Sequence, residues 1–549
     1  MAENHLHDVA YPRLDESQLG ALARCSDAKL RRYRDKEKLF ECGQRDYNFY
    51  VVKSGEVAIV DESGETPNTI TIHGPGEFTG DVSQLTGRPA IVSAIAVGGC
   101  LVYEVSPEAL RQLLNQCIEL SDIMLQAFIA RRQLLRELPG FTGITVIGSR
   151  YSRDTFRIRD FLAKNRVLFT WLDLEADPQV GELLKQFGLS ESDTPVVAWG
   201  RKLLLRNPSN RELAEALGIR RPLDKTIYDL VVVGAGPAGL AAAVYGASEG
   251  LSTLVLERIA PGGQAGLTMR IENYLGFPTG ISGNELADRA VIQANKFGAA
   301  LTIPSPVTHL SFENAYPLLD LDAGESVTSK CLLIATGAEY RRLTTAGCER
   351  FEGRGVYYAA TINEAPLCRN GEVVVVGGGN SAGQAAVFLA QFARKVYLVI
   401  RGDSLYKRMS YYLAKRIEQT ENIEVLYNTC VVKMRGDEQL NAVELLDTRT
   451  NETRTLHCVA LFSFIGAVPH TDWLPREIER DEKQFVKTGA PLAESPYWNT
   501  KRQPFLLETS RPGVFAAGDV RSGSVKRIAS AAGEGAMAVQ FVHEYLKEM

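Results

Sequence analysis

The chain has 549 residues and a net charge of −5, a length that suits about three or four domains. Its make-up, 45% hydrophobic and 23% charged, is that of a soluble globular protein. Mild acidity without a basic stripe argues against a nucleic-acid partner, and apolar runs are interrupted by glycines before they reach a membrane span. The nine cysteines (Cys25, Cys42, Cys100, Cys117, Cys331, Cys348, Cys368, Cys430 and Cys458) are scattered, with no C-x-x-C. That fits reduced thiols and a cytoplasmic location better than a secreted disulfide framework. The polar N-terminus has no signal-peptide core, and the histidines show no metal-ligand spacing, so no metal is expected.

Residues from about 39 to 106 read as short strands: Val, Ile and Tyr alternate between Ser-Gly and Gly-Pro-Gly turns, the pattern of a small β-roll. A helical stretch follows, "SPEALRQLLNQCIELSDIMLQAFIARRQLLREL", with Ser106 as N-cap and Pro107 at the first helical position. Pro139-Gly140 breaks the chain. Next come strand "GITVIG", helix "RDTFRIRDFLAKN", strand "VLFTWLDLE", helix "DPQVGELLKQFG", strand "PVVAW" and helix "SNRELAEALG", which predict an α/β domain. "IRRPLDKT" reads as a linker. From Tyr228 a βαβ pattern runs to the C-terminus.

Two glycine clusters carry the chemistry. "YDLVVVGAGPAGLAAAVYGASEGLSTLVLERI" is strand, G-x-G-x-x-G, helix, strand, acid. Gly234 permits the tight turn, Gly236 lets backbone approach a pyrophosphate, and Gly239 lets helix pack on sheet; Pro237 and Ala238 open the helix, whose N-terminus attracts phosphate. Glu257 ends the second strand, where a carboxylate accepts from ribose hydroxyls. "EVVVVGGGNSAGQAAVFLAQFARKVYLVIRGDSLYKR" repeats the design with Gly377, Gly379, Asn380, Ser381 and Ala382. Its second strand ends in Arg401, followed by Lys407 and Arg408. A guanidinium grips a 2′-phosphate that a carboxylate would repel, so this second site is expected to prefer NADPH to NADH.

At these residues the chain resembles the low-molecular-weight thioredoxin reductases, over about 227–549. "GAGPAGL" matches the FAD pyrophosphate loop. "PGGQAGLTMRIENYLGFP", with Gly263, Gln264 and Asn273, matches the segment near the flavin. "LLIATGA", with Thr336 and Gly337, matches the strand closing the first FAD half. "GVFAAGDV", with Gly518 and Asp519, matches the ribityl site, and "KRIASAAGEGAMAV", with Arg527, Ile528 and Ala529, matches the helix beside the isoalloxazine. The resemblance implies bound FAD, NADPH as donor, a homodimer, and an FAD domain (225–338 and 468–549) split around an NADPH domain (339–467).

The family's redox dithiol lies just before the second glycine loop. Here Ala359, Ala360, Thr361 and Ile362 occupy its place, and the acid that follows it becomes Asn363 or Glu364. Without two thiols this chain has no internal disulfide to cycle, so no catalytic residue is assigned, and Cys368 is expected to be packed rather than redox-active.

Two upstream segments have resemblances of their own. "GPGEFTGDVSQLTGRPAIVSAIAV" resembles the phosphate-binding cassette of cyclic-nucleotide-binding domains, the match covering about 10–137 within a 1–137 domain. This implies a ligand site at Gly80 and Asp81. The family's phosphate-binding Arg reads Ala90, a deficit of about 2–5 kcal/mol for a buried phosphate, with Arg88 two residues away as a substitute. A cyclic mononucleotide, another ligand and a purely structural roll all remain open. Residues 141–219 resemble a glutaredoxin or thioredoxin. Ser152 and Thr155 stand where C-x-x-C would be, and Thr194-Pro195 where that fold keeps its cis-proline.

The fold class expected is thus multidomain: a β-roll with helices, a thioredoxin-like α/β domain, and two Rossmann-type α/β domains. The function expected is an FAD-dependent NADPH oxidoreductase that delivers electrons to an acceptor other than an internal disulfide, a small molecule or redox protein, with control by the N-terminal domain. The alternative is a redox- or ligand-sensing flavoprotein read by a partner.

Overall fold

The computed structural model describes all residues except 1, 63–66, 138–143, 178, 179, 187, 200–202, 224–226, 315, 323, 362 and 363. Pro139-Gly140, the end of the 219–226 linker, Ile362 and Asn363 therefore lie outside the described residues. The chain divides into two units: 1–226 with 243–260 and 290–306, and 227–242 with 261–289 and 307–549.

In the first unit the roll begins earlier than the turn pattern suggests. An antiparallel sheet runs Lys29–Tyr33, Ser93–Val105, Phe49–Asp61, Asn68–His73, and Lys38–Phe40 also pairs with Ser93–Val105. Lys29–Tyr33 escaped the sequence reading because four of its five side chains are exposed, so it lacks the alternation of a half-buried strand. The predicted helical stretch is two helices, Pro107–Gln116 and Ile118–Glu137, parted at Cys117. Ser106 caps the first, its hydroxyl accepting the Ala109 N–H at 3.2 Å. Phe49, Phe78, Leu110, Leu113 and Phe128 form a core between roll and helices.

Four strands follow in the order Phe169–Asp173, Ile144–Gly148, Val196–Trp199, Leu203–Arg206. The first pair is parallel and the other two pairings are antiparallel. Helices Arg153–Lys164, Val180–Gln186 and Asn210–Ala216 accompany them. The sequence reading missed Leu203–Arg206, an edge strand whose residues are half-buried or exposed. The Thr194–Pro195 bond is cis. This unit also holds the parallel pair Thr253–Leu256 and Ala300–Thr302.

In the second unit Ile227–Val233 lies parallel to Ser326–Ile334, which pairs in parallel with Val514–Ala516. Tyr316–Leu321 and Val307–Glu313 extend the sheet antiparallel, so the βαβ reading does not hold throughout. A five-stranded parallel sheet runs Val356–Tyr357, Ala460–Ser463, Glu372–Val376, Lys395–Val399, Ile423–Leu426. Beside it stands an antiparallel sheet of Thr429–Gly436, Leu440–Asp447 and Thr453–His457. The chain enters and leaves this inserted region side by side, through the ladder Ala338–Tyr340 with Ala467–Pro469.

Candidate active site

The first glycine loop is built by exclusion. A Cβ on Gly234, where φ is +106°, would lie 2.4 Å from the Ala335 carbonyl oxygen, and one on Gly239 would lie 1.9 Å from that of Gly234. Neither position admits another residue without moving backbone. Gly236 is different: nothing stands within 4 Å of where its Cβ would be, so its backbone faces open space at the start of helix Pro237–Ser248. That is an open cradle for a pyrophosphate at a helix N-terminus, and the residues present fit a dinucleotide.

Gly262 donates to the Ala235 carbonyl at 2.7 Å, and a Cβ on Gly263 would meet Gly236 Cα at 3.1 Å. Gln264 Nε2 donates to the Ala338 carbonyl at the mouth of the inserted region. Thr336 Oγ1 donates to the His470 carbonyl at 2.9 Å, and Gly337 has φ +65°. Gly518 donates its N–H to Glu534 Oε2 at 2.7 Å, and Arg521 pairs with the same carboxylate. Burial raises the Asp519 pKa, opposed by Lys526 and reinforced by Glu534. Helix Ile528–Glu548 starts at Arg527 and packs so closely that a Cβ on Gly535 would sit 2.0 Å from the Ala238 carbonyl. Arg527 and Ala529 are exposed, Ile528 is half-buried, and Asn273 is exposed. In the first unit, Glu257 follows strand Thr253–Leu256; its Oε1 accepts the Ile259 and Ala260 N–H groups at 2.9 and 3.3 Å.

The second loop repeats the exclusions. Gly377 has φ +144°, and its Cβ would meet the Phe464 carbonyl oxygen at 2.5 Å; around Gly379 nothing stands within 4 Å. Ala382 is fully buried, so a methyl is tolerated at the third position. Asn380 Oδ1 accepts the Ser410 N–H at 2.7 Å, and Ser381 bonds the Tyr340 hydroxyl. Arg401 and Arg408 are exposed, and among the described residues neither makes an ion pair. Lys407 pairs with Asp403 at 2.7 Å and holds that carboxyl's pKa down.

Between Tyr357 and Glu372 the sequence holds one cysteine, Cys368. Ala359 is half-buried and Ala360 is buried. The Thr361 N–H and hydroxyl both donate to Glu364 Oε2, at 2.8 and 2.5 Å, so the buried carboxyl of Glu364 closes its own turn. Cys368 is fully buried, and its thiol bonds the Glu364 carbonyl at 3.4 Å. Burial, then the Glu364 charge, push its pKa up to about 12, and Cys458 is pushed equally high by burial. All nine cysteines are free thiols.

In the roll, Gly80 has φ +99°. Asp81 is buried and caps helix Val82–Thr86 by accepting the Ser83 N–H at 2.9 Å. Arg132 Nη1 pairs with it at 3.3 Å. Arg88 Nη1 donates to the Asn165 carbonyl at 3.1 Å. The sequence reading missed Arg131 and Arg132, adjacent on helix Ile118–Glu137. Arg131 donates to the Ala10 and Gly80 carbonyls at 2.7 and 2.8 Å, and burial lowers its pKa to about 10. It missed Glu534 and the two-pronged Arg416–Glu272 pair at 2.7 and 3.3 Å for the same reason. A charge in a helical pattern reads as solvated until its partner, distant in sequence, is known.

Two glycine cradles, the second followed by exposed Arg401 and Arg408 that make no ion pair among the described residues, fit two dinucleotides, as in a nucleotide-dependent oxidoreductase. Comparison agrees: the pyridine nucleotide-disulphide oxidoreductase family matches residues 228–535, and the chain belongs to it. The thioredoxin reductase of Treponema pallidum is 37% identical over 322 residues, covering 59% of this chain and 98% of that one. That of Bacillus subtilis is 35% identical over 327 residues, covering 59% and 97%. Among solved structures, Lactococcus lactis thioredoxin reductase in the FR conformation aligns with TM-score 0.53 at 30% identity, covering 59% of this chain and all of that one. The cyclic nucleotide-binding domain family matches residues 30–117. The chain is thus a thioredoxin reductase-like enzyme of a family that uses FAD and NADPH, with a cyclic nucleotide-binding domain at its N-terminal end. Among the described residues no helix is long and apolar enough to cross a membrane, and no side-chain cluster could hold a metal.

Proposed function

We propose that this chain is an NADPH oxidoreductase whose electrons leave for an acceptor outside the polypeptide rather than for an internal disulfide. The observation that carries it is the segment 359–368: two alanines, a threonine bound to Glu364, and one buried, weakly acidic thiol. FAD, when bound, supplies hydride acceptance and onward electron transfer. Gly234, Gly236 and Gly239 bring backbone up to its pyrophosphate, Glu257 accepts from its ribose, and Gly518, held by Glu534, fixes the ribityl end. Gly377, Gly379 and Ala382 do the same for NADPH, and Arg401 with Arg408 takes the 2′-phosphate. The mixed four-stranded sheet supports a thioredoxin-like reading of residues 141–219, with Ser152 as a helix cap and no thiol. A homodimer, a nucleotide-like ligand on the roll and a cytoplasmic setting complete the reading.

Rapid mixing of FAD-loaded protein with NADPH, followed by a panel of quinones, flavodoxin-type proteins, iron–sulfur proteins, oxygen and external disulfides, tests it. Fast flavin bleaching with turnover on one acceptor is expected. The second reading, a flavoprotein sensor read by a partner, is favoured by the family match of the roll. It wins if NADPH leaves the flavin band unchanged while ligand alters partner binding.

A further inference from the structure

A cavity of about 60 Å³ beside the roll's short helix is lined by Ser83, Arg88 and Arg132 together with the apolar Ile91, Leu168 and Trp199. It has room for about four waters, the bulk of a phosphate group rather than a whole nucleotide. Both arginines are held from the C-terminal end of helix Arg153–Lys164. Arg88 donates to the Asn165 carbonyl at 3.1 Å, and Arg132 Nη2 donates to the Arg166 carbonyl at 3.3 Å. A helix C-terminus carries partial negative charge, which these carbonyls present to the two arginines, and Arg132 also pairs through Nη1 with the Asp81 carboxylate at 3.3 Å.

Asn165 carries the connection onward. It is fully buried. Its Nδ2 donates to the Phe161 carbonyl of its own helix at 3.0 Å and to the Ile259 carbonyl at 2.9 Å, while its Oδ1 has no hydrogen-bond partner among the described residues. Ile259 in turn donates its N–H to Glu257. Three hydrogen bonds therefore join the cassette arginine to the carboxylate assigned to the FAD ribose.

We propose that a small phosphate-bearing molecule in this cavity competes with the Asn165 and Arg166 carbonyls for Arg88 and Arg132, and that its binding weakens FAD retention through Asn165 and the 257–260 turn. This rests on the readings of the roll as a nucleotide site and of Glu257 as the ribose acceptor. A phosphate oxygen is the stronger acceptor, because a hydrogen bond between two charged groups is about twice as strong as a neutral one. The carbonyl it displaces is left buried without its donor, a cost the helix end relieves by shifting. Asn165, bound by its amide nitrogen alone, then keeps Phe161 and releases Ile259. Coupling of this kind is reciprocal, so bound FAD must weaken the phosphate ligand by the same factor.

The test uses the full chain, with cyclic AMP, cyclic GMP and inorganic phosphate as separate probes. FAD affinity is read from flavin fluorescence, and exchange of the Ile259 and Ala260 amides from hydrogen–deuterium exchange. Saturating cyclic nucleotide, entering the cavity by its phosphate alone, is expected to weaken FAD binding at least about 5-fold and to speed exchange at both amides. FAD loading should weaken the nucleotide by the same factor. Asn165→Ala should still bind nucleotide but lose the coupling; the exchange arm needs no variant and so does not depend on its folding. A shift with inorganic phosphate alone supports the proposal and identifies the anion as sufficient. Nucleotide binding with unchanged FAD affinity and exchange overturns the relay and leaves the roll's reading intact. If no probe binds, the nucleotide reading fails and the proposal with it; protein that refuses FAD overturns the Glu257 assignment instead.

Discussion

The two glycine loops share one backbone plan and end in opposite charges. Both place a glycine with positive φ against a carbonyl, at Gly234 and Gly377, and both leave the middle glycine facing open space. They diverge at the end of the second strand: Glu257 accepts two backbone N–H groups, whereas Arg401 is exposed. Sterics thus keep each middle glycine open, where we propose a pyrophosphate lies, and the charge one strand away is the proposed selector between the two dinucleotides. The same contrast explains why the loops persist beside a segment with no redox thiols: binding a dinucleotide and passing electrons onward use different residues.

The largest effect expected comes from filling the first loop. Gly239→Val drives carbons into the Gly234 carbonyl and should yield colourless protein with FAD affinity down at least about 1000-fold; yellow protein of normal loading breaks the parallel between the loops. Next, Arg401→Glu should lower the NADPH-to-NADH ratio of kcat/KM by about 100-fold, the loss of one charged contact and gain of a repulsive one, while leaving flavin content unchanged. An unchanged ratio moves 2′-phosphate recognition away from the strand end. Glu257→Gln should weaken FAD by about 10-fold, one charged hydrogen bond's worth, measured by flavin fluorescence.

The smallest effect concerns the thiols. Cys368→Ala should leave the rate of flavin reduction by NADPH within about twofold, and a larger drop returns that cysteine to the electron path. The pH dependence has a definite sign. Burial raises the Cys368 and Cys458 pKa values to about 12, so the fold keeps both thiols protonated when the unfolded chain, near pH 8.5, begins to lose them. Their contribution is whole below that pH and is lost as pH rises toward 12. Denaturant midpoints should fall across this window, and less steeply in Cys368→Ala.

Much of the site was legible because it depends on local backbone. G-x-G-x-x-G after a strand can be read from sequence, since only glycine survives at Gly234 and Gly239 and both meet atoms nearby along the chain or on the next strand. The Ser106 cap and the exchange of Glu257 for Arg401 are local in the same way. The contact of Arg88 was not legible in the same way. It was singled out for lying two residues from Ala90, whereas one of its contacts, the Asn165 carbonyl, lies 77 residues away.

What the sequence by itself determined, then, was the set of nucleotide loops, their charges and the loss of the dithiol, all encoded within short windows by sterics and residue chemistry. Tertiary structure alone decided which buried polar groups meet. The Arg88–Asn165–Ile259 connection, Gly518 held by Glu534, and Glu364 closing on Thr361 each satisfy a donor or acceptor that burial would otherwise leave unpaired. Arg88, Asn165 and Ile259 lie 77 and 94 residues apart and Gly518 and Glu534 16 apart, beyond the reach of a local pattern.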